Sequence, residues 1–131
     1  CIPGAEGWQL SNPPILSMAA IKASLDIFNS VWLNVLIDKS KALTGYLEFL
    51  LKQLGEHTIK IITPEDPDSR GCQLSIQVLN ANKTLHDKLT KVGVVTDWRE
   101  PDVIRCAPVP LYNSFTDVYW MVKKMKAILN E

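Results

Sequence analysis

Ile59-Lys60-Ile61-Ile62-Thr63-Pro64-Glu65-Asp66-Pro67-Asp68-Ser69-Arg70-Gly71-Cys72-Gln73-Leu74-Ser75-Ile76-Gln77-Val78 is the stretch that decides the fold. At both its ends apolar residues recur with a period of two: Ile59 and Ile61 flank Lys60, and Leu74, Ile76 and Val78 alternate with Gln73, Ser75 and Gln77. Successive side chains of a strand point to opposite faces, so the pattern predicts two strands, each with one buried face. The polar stretch from Pro64 to Gly71 is turn chemistry throughout, because proline fixes φ and Asp or Ser side chains bond back to their own backbone. Its length suits a loose loop between antiparallel neighbours and leaves no room for a crossover helix, which would demand a parallel pair.

Further along, Asn82 is placed to cap a helix that carries Leu85, Leu89 and Val92 on one side and ends before Gly93. Val94 to Thr96 read as a short third strand, Pro101-Asp102 as a turn, and Val103 to Ala107 as a fourth strand. Ser114 then caps a last helix whose Val118, Met121, Val122, Met125, Ile128 and Leu129 face inward.

Towards the N-terminus, Leu36, Leu43, Leu47, Leu50 and Leu54 keep helical spacing until Gly55 supplies a stop. Before them Met18, Ile21, Leu25 and Phe28 form a stripe expected to be buried, on a helix that starts at Ile15 with Pro14 in its first turn. Residues 1–14 are irregular, because Pro3, Gly4, Gly7 and Pro13-Pro14 remove donors and loosen or restrict the backbone. The expected class is α+β: two N-terminal helices, then β-β-α-β-β-α, with a mostly antiparallel sheet covered by helices on one side. The domain reading is an irregular strip over 1–14, connecting helices over 15–55 and a small C-terminal domain over 56–131.

Composition fits that reading, since 131 residues with 47% hydrophobic and 21% charged are enough for one core. Fourteen Lys plus Arg balance fourteen Asp plus Glu, so no summed field draws the chain to nucleic acid or to an anionic membrane. No apolar run approaches the roughly 20 residues that span a bilayer, and Cys1-Ile2-Pro3-Gly4 lacks the charged and apolar regions of a signal peptide, so the expected compartment is the cytoplasm. Opening on neither Met nor a targeting segment, the chain reads like a piece of a longer protein. Cys1, Cys72 and Cys106 cannot all pair and form no Cys-x-x-Cys grouping, so they are expected to be reduced, with no metal site.

Among charged residues Arg105 stands out, because it shares a strand face with Val103 and Ala107 and is followed by Pro108 and Pro110. Two roles suit its planar fork: bidentate capture of a carboxylate such as that of an amino acid, or a salt bridge to Asp97, Glu100 or Asp102. Arg70, ahead of Gly71, reads as an exposed loop cation, and His57 and His86 as solvated surface residues. Trp8 lies in a strip that cannot bury it locally and is expected to meet another domain or subunit, whereas Trp120 fits the core. Gly-rich phosphate cradles, Gly-x-Ser-x-Gly and His-Glu-x-x-His are all missing, so the residues by themselves give no complete catalytic apparatus.

Two longer motifs add to this. Gly7-Trp8-Gln9-Leu10-Ser11-Asn12-Pro13-Pro14-Ile15-Leu16 and Ile104-Arg105-Cys106-Ala107-Pro108-Val109-Pro110-Leu111-Tyr112-Asn113-Ser114-Phe115 closely resemble the kynureninase family. Leu43-Thr44-Gly45-Tyr46-Leu47-Glu48, Arg70-Gly71-Cys72-Gln73-Leu74 and Gly93-Val94-Val95-Thr96-Asp97 follow in the same order, so the resemblance covers nearly the whole chain. It implies the small domain and connecting helix of a homodimeric, fold-type-I pyridoxal-phosphate enzyme of tryptophan catabolism and NAD biosynthesis. Such enzymes hydrolyse kynurenine or 3-hydroxykynurenine to anthranilate or its 3-hydroxy form plus alanine.

By that resemblance Arg105 binds the substrate α-carboxylate, while Asn12, with Ser11 beside it, lies near the cofactor and the substrate ring. The Ser-Asn pair resembles enzymes that prefer the 3-hydroxy substrate. The Schiff-base lysine belongs to the family's large domain, no lysine here sits in a matching motif, and the segment alone is expected to be inactive. Two rivals are the small domain of a class V aminotransferase or cysteine desulfurase, against which the Ser-Asn-Pro-Pro strip argues, and a free-standing amino-acid-binding module.

Overall fold

The structure, a computed structural model, describes residues 2–130; Cys1, read above as reduced, lies outside them. It divides into two compact units, Cys1–Val35 and Leu36–Glu131.

In the first unit a short 3-10 turn, Ala5–Trp8, leads through an extended strip into helix α1, Ile15–Asn29. Pro14 stands at its N-cap in extended conformation, one residue before the first helical turn. The expected buried stripe is the main departure here: Met18, Ile21, Leu25 and Phe28 are 50%, 57%, 52% and 41% exposed, and no residue of α1 is buried. One helix and an irregular strip contain no second layer against which such a stripe can be packed.

Helix α2 (Leu33–Lys52), which belongs to the second unit from Leu36 onward, buries Leu36, Leu43, Thr44, Leu47 and Leu51. Leu51 rather than Leu50 completes the stripe, because 43, 44, 47 and 51 are spaced by the helical three and four whereas Leu50 turns towards the flank. Gly55, at φ 90°, ends the turn that follows, a conformation in which a Cβ would be strained. Strands β1 (Ile59–Ile61) and β2 (Leu74–Val78) then pair antiparallel, with Ile59 opposite Val78 and Ile61 opposite Ile76. A 3-10 turn at Pro67–Ser69 shapes the loop between them, capped by the Asp66 carboxylate.

Helix α3 (Lys83–Lys91) starts where Asn82 accepts from the Thr84 amide at 2.9 Å, buries Leu85 and Leu89, and stops before Gly93 at φ 81°. Val92 falls at the C-cap and is 44% exposed, so it does not extend the buried stripe. The third strand, β3, is Asp97–Arg99 rather than residues 94–96, because pairing with β4 (Val103–Cys106) sets its limits, Asp97 lying opposite Arg105 and Arg99 opposite Val103. Helix α4 (Phe115–Leu129) closes the fold behind a Ser114–Asp117 capping box and buries Val118, Val122 and Met125. Trp120 is not core: it is 48% exposed, edge-on to Tyr119, with Lys123 Nζ 4.7 Å from its ring.

The sheet order is β1-β2-β4-β3, and every pairing is antiparallel. Alternation gives it two unlike faces. Ile59, Leu74, Ile76, Val78, Ile104 and Cys106 join the buried side chains of α2, α3 and α4 in one core, so the helices cover one side as expected. The other face carries Lys60, Ser75, Gln77, Val103, Arg105, Asp97 and Arg99. Among the described residues no single helix is long and apolar enough to cross a membrane.

Candidate functional site

Arg105 sits near the middle of β4, between Ser75 of β2 on one side and Asp97 of β3 on the other. Its neighbours Ile104 and Cys106 are buried at 0% and 5%, which anchors the strand and sends the Arg105 side chain to the opposite face. Residues directly opposite on adjacent strands lie close enough to interact through their side chains. Arg105 Nε donates to Asp97 Oδ2 at 2.5 Å and Nη2 donates to the same oxygen, while Arg99 Nε also donates to it at 3.1 Å. Hydrogen bonding and charge from Arg105, aided by Arg99, hold the Asp97 carboxyl below its ordinary value. The Arg105 side chain is 32% exposed, so the guanidinium is fixed and still reachable.

Of the three acids considered as partners for Arg105, Asp97 is the one engaged; Asp102 instead accepts from Gln77 Nε2 at 2.9 Å. The chain after Arg105 is held as well: Lys39 Nζ donates to the Pro110 carbonyl at 2.6 Å, and the Val109 amide donates to Asn113 Oδ1 at 2.8 Å. Ser11 and Asn12 lie in the first unit, exposed, in the strip before α1, where the Ser11 carbonyl accepts from Gln9 Nε2 at 3.0 Å.

Arg70 is not the exposed loop cation expected. Its side chain is 3% exposed, Nη2 donates to Glu48 Oε2 at 2.5 Å and Nη1 to the Pro64 carbonyl at 3.1 Å. A guanidinium removed from water needs a carboxylate, and α2 brings one across from the β1–β2 loop. Burial pushes the Glu48 carboxyl up, but hydrogen bonds from Lys52 and Arg70 outweigh it and leave it lowered. His57 is exposed, but His86 is only 20% exposed on its side chain, because α3 turns it onto the segment just before β3, where Nε2 lies 3.2 Å from the Thr96 carbonyl.

A cavity of about 460 Å³ opens between the end of β4 and α4, and Arg105 is not among its lining residues. Three of its polar side chains are already engaged, Lys124 with the Val92 carbonyl at 2.6 Å, Asn113 with the 109–113 turn and Asp117 with the α4 cap, whereas the buried Thr96 hydroxyl at its wall has no hydrogen-bond partner. Cys106 at its wall has its thiol pushed up to about 12 by burial, far from a reactive thiolate. Among the described residues no group of His, Cys, Asp and Glu could hold a metal.

Sequence reading placed Arg105 correctly on its face and named Asp97 only as one of three partners. The signal for choosing was present: Asp97 and Arg105 are equidistant from Pro101, so a tight hairpin turning there sets them opposite each other. Arg99 was missed for the same reason, since its role follows from that register.

The family model described as kynureninase C-terminal domain matches residues 36–125. A kynureninase of Koribacter versatilis (strain Ellin345) is 54% identical over 127 residues, covering 97% of this chain and 30% of that protein. One from Myxococcus xanthus (strain DK1622) is 51% identical over 130 residues, covering 99% of this chain and again 30% of the relative. A solved structure titled a NifS-like protein superposes with a TM-score of 0.66 at 24% identity, over 75% of this chain and 29% of that one, a likeness of fold. The chain thus spans under a third of the length of the curated relatives it matches. On a family-model match over most of its length and about half-identical relatives along nearly all of it, the chain belongs to the kynureninase family and represents its C-terminal part.

Proposed function

We propose that this chain supplies the substrate-carboxylate grip of a pyridoxal-phosphate-dependent kynureninase that hydrolyses L-kynurenine or 3-hydroxykynurenine to anthranilate or 3-hydroxyanthranilate and L-alanine. The observation that carries the reading is Arg105, a guanidinium fixed on an open sheet face with its strand anchored on both sides and part of its surface in reach of solvent. A rigid, permanently charged fork of that kind suits an α-carboxylate, and holding one end of the substrate orients the ketone at the other. Asn12 and Ser11 are assigned a role towards the substrate ring and the cofactor, which makes 1–14 an active-site strip ahead of connecting helices (15–55) and the small domain (56–131).

Several groups that could hold the cofactor are already engaged elsewhere. A lysine that forms an imine must shed its proton, yet Lys41 and Lys52 are raised by hydrogen bonds to Asp68 and to Glu48 and Glu65. Lys39 and Lys124 are spent on backbone carbonyls, and the N-terminus of α4, a natural phosphate seat, is filled by the Asp117 carboxylate. We therefore assign the cofactor and its lysine to the larger part of the family's chain. That larger part is also the partner we assign to the exposed face of α1, within a cytoplasmic homodimer.

The test is the full-length enzyme assayed by release of fluorescent anthranilate from L-kynurenine, alongside 3-hydroxykynurenine. Arg105→Ala is expected to lower kcat/KM by about 10- to 100-fold, mainly through KM, as loss of a charge-assisted contact does. If neither substrate yields product while cofactor is bound, the small domain of an aminotransferase or cysteine desulfurase becomes the better reading.

A further inference from the structure

Asp97 and Arg105 form more than a surface ion pair. An arginine fork offers a carboxylate two edges, Nε with Nη2 or Nη1 with Nη2. Asp97 Oδ2 accepts from both groups of the first edge, Nε at 2.5 Å, while Nη1 has no partner among the described residues. Arg99 Nε adds a third donor to that same oxygen at 3.1 Å. Two permanently charged guanidiniums share one carboxylate, so the cluster keeps a surplus of one positive charge, which is the charge that a monocarboxylate neutralises.

We propose that Asp97 is a positioning residue for substrate binding, which occupies the Nε/Nη2 edge of Arg105 and so presents the Nη1/Nη2 edge to the α-carboxylate. The inference rests on Arg105 as the carboxylate-binding residue. Free arginine side chains lose several rotatable bonds of freedom on gripping a ligand, and an anchor already in place removes much of that cost from the binding step. A direct competitor would act in the opposite sense. If the substrate had to displace Asp97 from Arg105, removing the aspartate charge would tighten binding; if Asp97 orients the fork, removing it weakens binding.

The experiment uses the full-length enzyme with its cofactor, as wild type, Asp97→Asn and Arg105→Ala. KM and kcat are measured with L-kynurenine, and a binding constant is measured for the corresponding amine that lacks the α-carboxylate. Asp97→Asn keeps the side-chain shape at a site 48% exposed, so folding is not at stake. Expected are a KM raised about tenfold in Asp97→Asn with kcat within about twofold, a larger rise in Arg105→Ala, and unchanged affinity for the decarboxylated amine in both. An unchanged or lower KM in Asp97→Asn beside a raised KM in Arg105→Ala overturns the positioning role and leaves Arg105 as the grip. Equal loss of affinity for both ligands in Asp97→Asn also overturns it, as a general structural effect. An unchanged KM in Arg105→Ala overturns the reading of Arg105 and this inference together.

Discussion

At the scale of single residues, the chain holds two arginines with opposite fates. Arg105 keeps 32% of its side chain in solvent, whereas Arg70 keeps 3% and is locked onto Glu48. Removing Arg70 leaves the largely buried Glu48 carboxylate with only the more exposed Lys52, at 2.7 Å, so Arg70→Ala is expected to lower the unfolding free energy at neutral pH by about 2 kcal/mol in a denaturant melt. The pH dependence has a definite sign. Glu48 titrates lower in the folded chain than its ordinary 4.5, so the unfolded chain takes up protons first. The stability it contributes is present above that ordinary value and is lost as pH falls through the lower folded one. Glu48→Gln should therefore flatten the acid limb of a stability–pH curve below about pH 4.5, and an unchanged limb would show that another carboxylate governs it.

At the scale of elements, the helices differ in how they are held. Helix α4 begins at a reciprocal cap, in which the Ser114 amide donates to Asp117 Oδ2 at 2.7 Å and the Asp117 amide to Ser114 Oγ at 3.2 Å. Those backbone donors have no partner within the helix, so Ser114→Ala is expected to cost about 1 kcal/mol, read as a fall in melting temperature of several degrees. Because Ser114 follows the segment after Arg105 and Asn113 bonds back to Val109, the same cap helps fix the end of β4. Helix α1 has no comparable support in its own unit; its apolar residues are regularly spaced and exposed.

At the scale of the whole molecule, a chain covering 30% of its relatives' length holds Arg105 fixed on an open sheet face, while Lys41 and Lys52 are kept protonated by carboxylate partners. The segment by itself, supplied with pyridoxal phosphate, is expected to give no anthranilate from L-kynurenine in the assay that detects the full-length enzyme. Measurable turnover would move the catalytic lysine into this chain. The exposed stripe of Met18, Ile21, Leu25 and Phe28 points the same way, since apolar area of that kind belongs at an interface.

What the sequence determined by itself was whatever depends on near neighbours along the chain. The period-two runs at 59–61 and 74–78, the caps at Asn82 and Ser114, and the glycines at 55 and 93 each specify local geometry, and the structure follows them. The two quoted motifs likewise pointed to the family that the comparisons support. What only the tertiary structure decided depends on register and layering. The third strand begins at Asp97 because β4 offers its partners there, and Asp97 faces Arg105 for that reason. Arg70 is buried because α2 brings Glu48 to it across 22 positions of sequence, a distance that no local pattern encodes. The α1 stripe has the spacing of a buried face and stays exposed because periodicity states which side of a helix is apolar, while burial requires another layer to cover it.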